Sequence, residues 1–117
     1  MRAVAQEALA DRPNQYPPMM GVPDLRQAVA RHNTRFYGLE VDWQSEVMVT
    51  SGATEALAAA LFGLLEPGDE VVLFQPAYDS YAPVVQLSGG VPRYVTLQRS
   101  DYRIDWDDVR RAVTPRT

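Results

Sequence analysis

The chain has 117 residues, 46% hydrophobic and 22% charged, the make-up of one soluble globular unit with an ordinary supply of core residues. Its net charge of -4 and pI near 4.8 lack the basic footprint that nucleic acid or an anionic membrane requires, which leaves small molecules as the expected partners. The absence of cysteine excludes disulfides and thiolate metal sites, and the lone His32, with no second histidine at ligand spacing, reads as a surface helix residue rather than a metal ligand.

No apolar run is long enough to span a bilayer, and residues 1–11 lack the charged, apolar, small order of a signal peptide, so the sequence reads as cytoplasmic. Residues 2–10 are short of strong apolar positions, and "DRPNQYPPMMGVPD" (11–24) concentrates Pro, Gly, Asn and Asp. Residues 1–24 are therefore expected to be loop or extended chain. From Asp24, an acidic cap, a helix is expected with Leu25, Ala28, Val29, His32 and Phe36 on one face and Gly38 as its end. In "EVMVTSG" the run Val47, Met48, Val49 reads as a strand buried on both faces. A helix over residues 54–65 follows and stops at "EPGDE". Next come a second buried strand, "VVLFQP" (71–76), a proline-bent or short helix in "AYDSYAPVVQLSGG" ending at Gly89 and Gly90, and a third strand in "PRYVTLQ". The last helix starts in "IDWDDVRRAV", where Asp105 can cap and Val109 and Val113 face inward. Strand and helix thus alternate with short connections, which argues an α/β fold with a mainly parallel sheet and right-handed crossovers. The closing "TPRT" reads as the approach to another strand, as if the sequence stops mid-domain.

A buried strand, a glycine turn and a helix start in "TSGATEAL" bring backbone N–H groups and a positive dipole end to one point, where an anion such as a phosphate belongs. Gly52 permits the sharp turn, Ala53 keeps the approach open, the Ala53 and Thr54 amides point outward, and the Ser51 and Thr54 hydroxyls can donate. Ser51 reads equally as a plain N-cap, since many strand-to-helix turns begin with small hydroxylated residues for capping alone. The stretch is neither a G-x-G-x-x-G dinucleotide fingerprint nor a P-loop, because it has no lysine. Ligands of open parallel sheets sit outside the carboxyl ends of the strands, so "QPAYDSY" after the second strand should share that crevice. Tyr78 can lay its ring over a planar ligand there, or be a core tyrosine; Asp79 reads as a helix cap, and Tyr81 and Pro83 as packing residues.

With these motifs in this order and at these gaps, from "NQYPPMMGVPDLRQAVARH" to the final Thr117, the chain resembles the class I/II aminotransferases, fold type I enzymes dependent on pyridoxal 5'-phosphate. It is similar in flavour to those acting on N-succinyl-diaminopimelate, kynurenine, glutamine or methionine. The resemblance implies a partial three-layer α/β/α domain, with residues 25–117 as the amino-terminal part of the cofactor-binding large domain behind the segment 1–24. It implies that Ala53 and Thr54 hold the cofactor phosphate, that Tyr78 stacks on the pyridine ring, and that Tyr16 reaches across a homodimer to the neighbouring subunit's phosphate. It further implies an amino acid and a 2-oxo acid as substrates. All eleven basic residues are arginines, so the family's catalytic lysine is not in this sequence, and no catalytic or metal-ligating residue is assigned. Arg26, Arg31, Arg35, Arg110 and Arg111 read as solvated helix faces. The resemblance also places the first strand at a sheet edge beside a strand much later in sequence, so Val47–Val49 should lack a neighbour. A C–S lyase of the same fold, an effector-sensing domain of a transcription regulator and a phosphate-binding module without catalysis are the alternatives.

Overall fold

A computed structural model of the protein describes residues 1–11 and 14–117; Arg12 and Pro13, part of the expected loop, lie outside the described residues. The elements in chain order are α1 (Arg2–Asp11), α2 (Pro23–Tyr37), α3 (Gly52–Leu64), β1 (Glu70–Gln75), α4 (Tyr81–Leu87), β2 (Val91–Thr96) and α5 (Trp106–Ala112). They fall into two compact units, Met1–Thr50 and Ser51–Thr117.

In the first unit, residues 2–11 form a helix where loop was expected. Ala3, Ala5, Gln6, Glu7, Ala8 and Leu9 are strong helix formers, and propensity alone favours the helix although it buries none of its residues. Helix α2 starts with Pro23 in its first turn, where the missing N–H costs nothing, behind Val22 as N-cap. Asp24 therefore sits inside the first turn, complementing the dipole rather than capping. Gly38, at φ 66°, ends α2 as expected. The buried face differs from the expected one. Arg26 and Ala30, one turn apart, are buried, while Leu25, Val29 and Phe36 are exposed. His32 is on the surface, its ring 4.6 Å from that of Phe36.

Residues 47–49 do not form a strand. Val47 is buried and Met48 half exposed, and the Val49 amide donates to Met20 O at 3.0 Å. A strand needs a ladder partner, and among the described residues this segment has none.

The second unit is built on the parallel pair β1–β2, with Glu70 opposite Val91 and Gln75 opposite Thr96. Val91 donates to Asp69 O and Leu97 to Gln75 O, so alternate residues of β2 face β1 and Pro92, with no N–H to give, falls on the outer edge. Val85 of α4 is fully buried and Val95 of β2 is 3% exposed. Pro83 lies in the first turn of α4 and is exposed rather than packed, and Ser80, not Asp79, is the α4 N-cap. Asp105 caps α5, accepting from the Asp107 and Asp108 amides; Val113 ends that helix and is exposed rather than inward-facing. Residues 114–117 make a turn instead of entering a strand, with Arg116 O accepting from the Glu70 amide at 2.8 Å. Glu70, buried at the start of β1, is paired with Arg93 and accepts from the Thr114 hydroxyl at 2.6 Å. These two donors, Arg93 first, hold the Glu70 carboxyl below its ordinary value, and the same pairing raises that of Arg93.

Candidate cofactor-phosphate site

Helix α3 takes its start from Gly52, whose φ of 81° turns the chain out of the preceding segment. A Cβ placed on Gly52 would meet nothing within 4 Å, so the approach to the helix mouth is open. The Ser51 side chain makes no capping hydrogen bond, although the sequence allowed it that role. Instead the Glu55 carboxylate accepts from the Ser51 amide, which shows this turn taking an anionic oxygen on its backbone. Ala53 and Thr54 are exposed at the same mouth, their amides in the helix's first turn, where no intrahelical acceptor exists.

The position of this mouth relative to the strands follows from element lengths. Leu65, just past α3, packs against the position of Gly90, just before β2, so α3 ends at the amino-terminal edge of the strands. A helix of 13 residues rises roughly 20 Å, and a strand of six spans roughly 20 Å. Leu57 and Leu61, earlier in α3, line one cleft with Val71, Leu73 and Tyr81, so the helix runs back along the strands and its start lies toward their carboxyl ends. Tyr78 follows β1 at that end, 61% exposed, its ring 5.8 Å from that of Tyr81 in an edge-on arrangement. Ala53, Thr54 and Tyr78 are thus brought to one end of the second unit. Tyr81 lines an apolar cleft of about 290 Å³ with Leu57, Leu61, Val71, Leu73 and Val85.

Tyr16 belongs to the first unit and is 99% exposed. Arg26 is the residue that sequence reasoning missed. Expected on a solvated face, it is 7% exposed, with Nε donating to Val47 O and an Nη to Gln44 O, both at 2.8 Å, and its guanidinium 5.3 Å from the Trp43 ring centre. Arg31, Arg35, Arg110 and Arg111 are exposed as expected. Among the described residues there is no cluster able to hold a metal ion, and no helix is long and apolar enough to cross a membrane.

A parallel strand pair beside a glycine-started helix, with an aromatic residue just past the first strand, defines an α/β protein. Residues 1–117 match the aminotransferase class I and II family along their whole length, and the chain belongs to that family. It is 50% identical over 119 residues to the probable N-succinyldiaminopimelate aminotransferase of Mycobacterium tuberculosis and 47% identical over 109 residues to the methionine aminotransferase of Escherichia coli. These alignments cover 100% and 93% of this chain, and 30% and 28% of the relatives. The solved N-succinyldiaminopimelate aminotransferase of Mycobacterium tuberculosis matches 99% of this chain with a TM-score of 0.94 at 49% identity, over 31% of its own length. A methionine aminotransferase structure from Escherichia coli matches with a TM-score of 0.87 at 46% identity, over 29% of its length. The fold is that of fold type I aminotransferases, and the chain spans about 30% of the length of the curated relatives it matches.

Proposed function

We propose that the whole protein is a pyridoxal 5'-phosphate-dependent aminotransferase, moving an amino group from an amino acid to a 2-oxo acid, and that this chain grips the cofactor's phosphate and ring. The observation that carries the reading is the open, glycine-turned mouth of α3 at the same end of the strands as the exposed Tyr78 ring. The residues fit the group: two exposed hydroxylated residues, Ser51 and Thr54, and a first helical turn offering amides suit a dianionic phosphate, and the exposed Tyr78 ring suits a flat pyridine. When bound, the cofactor supplies an electron sink for the substrate carbon. The chain's own part is positioning. Ala53 and Thr54 hold the phosphate through N–H and O–H donors at the dipole's positive end, and Tyr78 covers the ring and keeps water from that face. Tyr16, on its exposed loop, extends to the phosphate of a second subunit in a homodimer. The proton-moving lysine is not among these 117 residues. The names of the relatives make N-succinyl-diaminopimelate and methionine the amino donors to try first.

The test uses mixed dimers of the whole protein. A Tyr16→Phe subunit is paired with a subunit carrying Thr54→Ala and Tyr78→Ala. One site then combines the first subunit's Thr54 and Tyr78 with the second's intact Tyr16, and should regain tight cofactor binding in absorbance titrations. A Tyr16→Phe defect that stays with its own chain would refute the exchange across subunits, and unchanged affinity in both parental dimers would refute the site itself.

A further inference from the structure

The most elaborate set of contacts in the first unit fastens the base of the loop that carries Tyr16. Tyr16 is followed by Pro17 and Pro18, whose rings fix φ at about −65° and stiffen the connection. A turn then closes by the Gly21 amide donating to Pro18 O at 2.7 Å, and the Val49 amide donates to Met20 O inside that turn. Gly21 has φ 95°, and a Cβ there would lie 2.7 Å from both Cβ and Cγ2 of Val49, so the turn and the 47–49 segment meet at a distance only glycine allows. That segment is held in turn by Arg26, whose guanidinium bridges Val47 O and Gln44 O. A buried, permanently charged side chain satisfied by carbonyls 18 and 21 residues away is costly to displace, because both carbonyls and the cation would be left unpaired.

We propose that Gly21 and Arg26 are positioning residues for Tyr16: they lock the base of its loop to residues 44–49, so the exposed ring is presented on a stiff, pre-formed arm. Ordering is then complete before the anion arrives, and the hydroxyl's hydrogen bond is not spent on freezing the loop. The proposal rests on the reading of Tyr16 as a phosphate ligand, and the experiment separates the two.

The whole protein is prepared as wild type, Tyr16→Phe, Arg26→Met and the double variant, with Gly21→Ala in place of Arg26→Met should the latter not fold. Pyridoxal 5'-phosphate affinity is measured by absorbance titration, and amide exchange is followed without cofactor. Arg26→Met should speed exchange in peptides covering residues 14–22 and 44–50 and leave residues 51–117 unchanged. It should weaken cofactor binding by up to the loss caused by Tyr16→Phe, roughly tenfold, and the double variant should bind within about twofold of Tyr16→Phe alone. Losses that multiply in the double variant would show Arg26 acting elsewhere and overturn the proposal, as would normal affinity in an Arg26→Met protein. Unaltered affinity in Tyr16→Phe would instead sink the Tyr16 assignment, and the proposal with it; faster exchange in that case would show the fasteners to be structural only.

Discussion

Thr54→Ala separates a phosphate site from a plain helix start. Thr54 is the third residue of α3, behind Ser51 as N-cap and Gly52 as the turn, and it is exposed. Alanine has the higher helix propensity by a few tenths of a kcal/mol, so the substitution leaves α3 at least as stable. What it removes is one O–H donor to a dianion, a charge-assisted bond of roughly 1.5–3 kcal/mol. Dissociation constants should therefore rise by on the order of 10- to 150-fold. Ser51→Ala is the paired control. Were Ser51 capping α3, its loss would cost about 1 kcal/mol of stability, but its hydroxyl makes no capping bond, so the melting temperature should not move. The assay is cofactor titration by visible absorbance beside thermal melting of the apoprotein. Unchanged affinity in Thr54→Ala, or a loss of affinity matched by a fall in melting temperature, would refute the reasoning, because the threonine would then serve the helix and not a ligand.

Three further outcomes are expected. This chain alone should show no transaminase turnover, and borohydride should trap no cofactor adduct on it, because it has no lysine; turnover in a purified sample would contradict the assignment of that chemistry to a lysine. Because the folded-state value of Glu70 is depressed, its contribution to stability is complete above the ordinary value of about 4.5 and is lost as pH falls through the lower folded value. Glu70→Gln should flatten the acid limb of a stability–pH curve, and an unchanged limb would refute the linkage. The exposed Leu57, Phe62 and Leu64 of α3 should drive self-association of the isolated chain; a cooperatively unfolding monomer in sedimentation and denaturant titration would count against it.

The sequence by itself determined much of what depends on neighbours a few residues apart, although Asp24 and Asp79 are not the caps they resemble. The Asp105 cap, the Gly38 terminus of α2, the Pro-Gly stop before β1 and the glycine-turned mouth of α3 are local chemistry, and each was legible as written; the apolar runs of β1 and β2 were legible too, while their strand form rests on their pairing. The helix over residues 2–11 was missed, because its signal is alanine-rich propensity and not an apolar pattern. Tertiary structure alone decided the fate of Arg26 and of residues 47–49. Nothing local distinguishes Arg26 from the ten other arginines; its burial depends on two carbonyls 18 and 21 residues away being aimed at one guanidinium. Val47, Met48 and Val49 have the composition of a buried strand, but strand formation depends on a partner's ladder of N–H and C=O groups. Where that ladder is absent among the described residues, the segment is held by one amide bond to Met20 and by the arginine behind it.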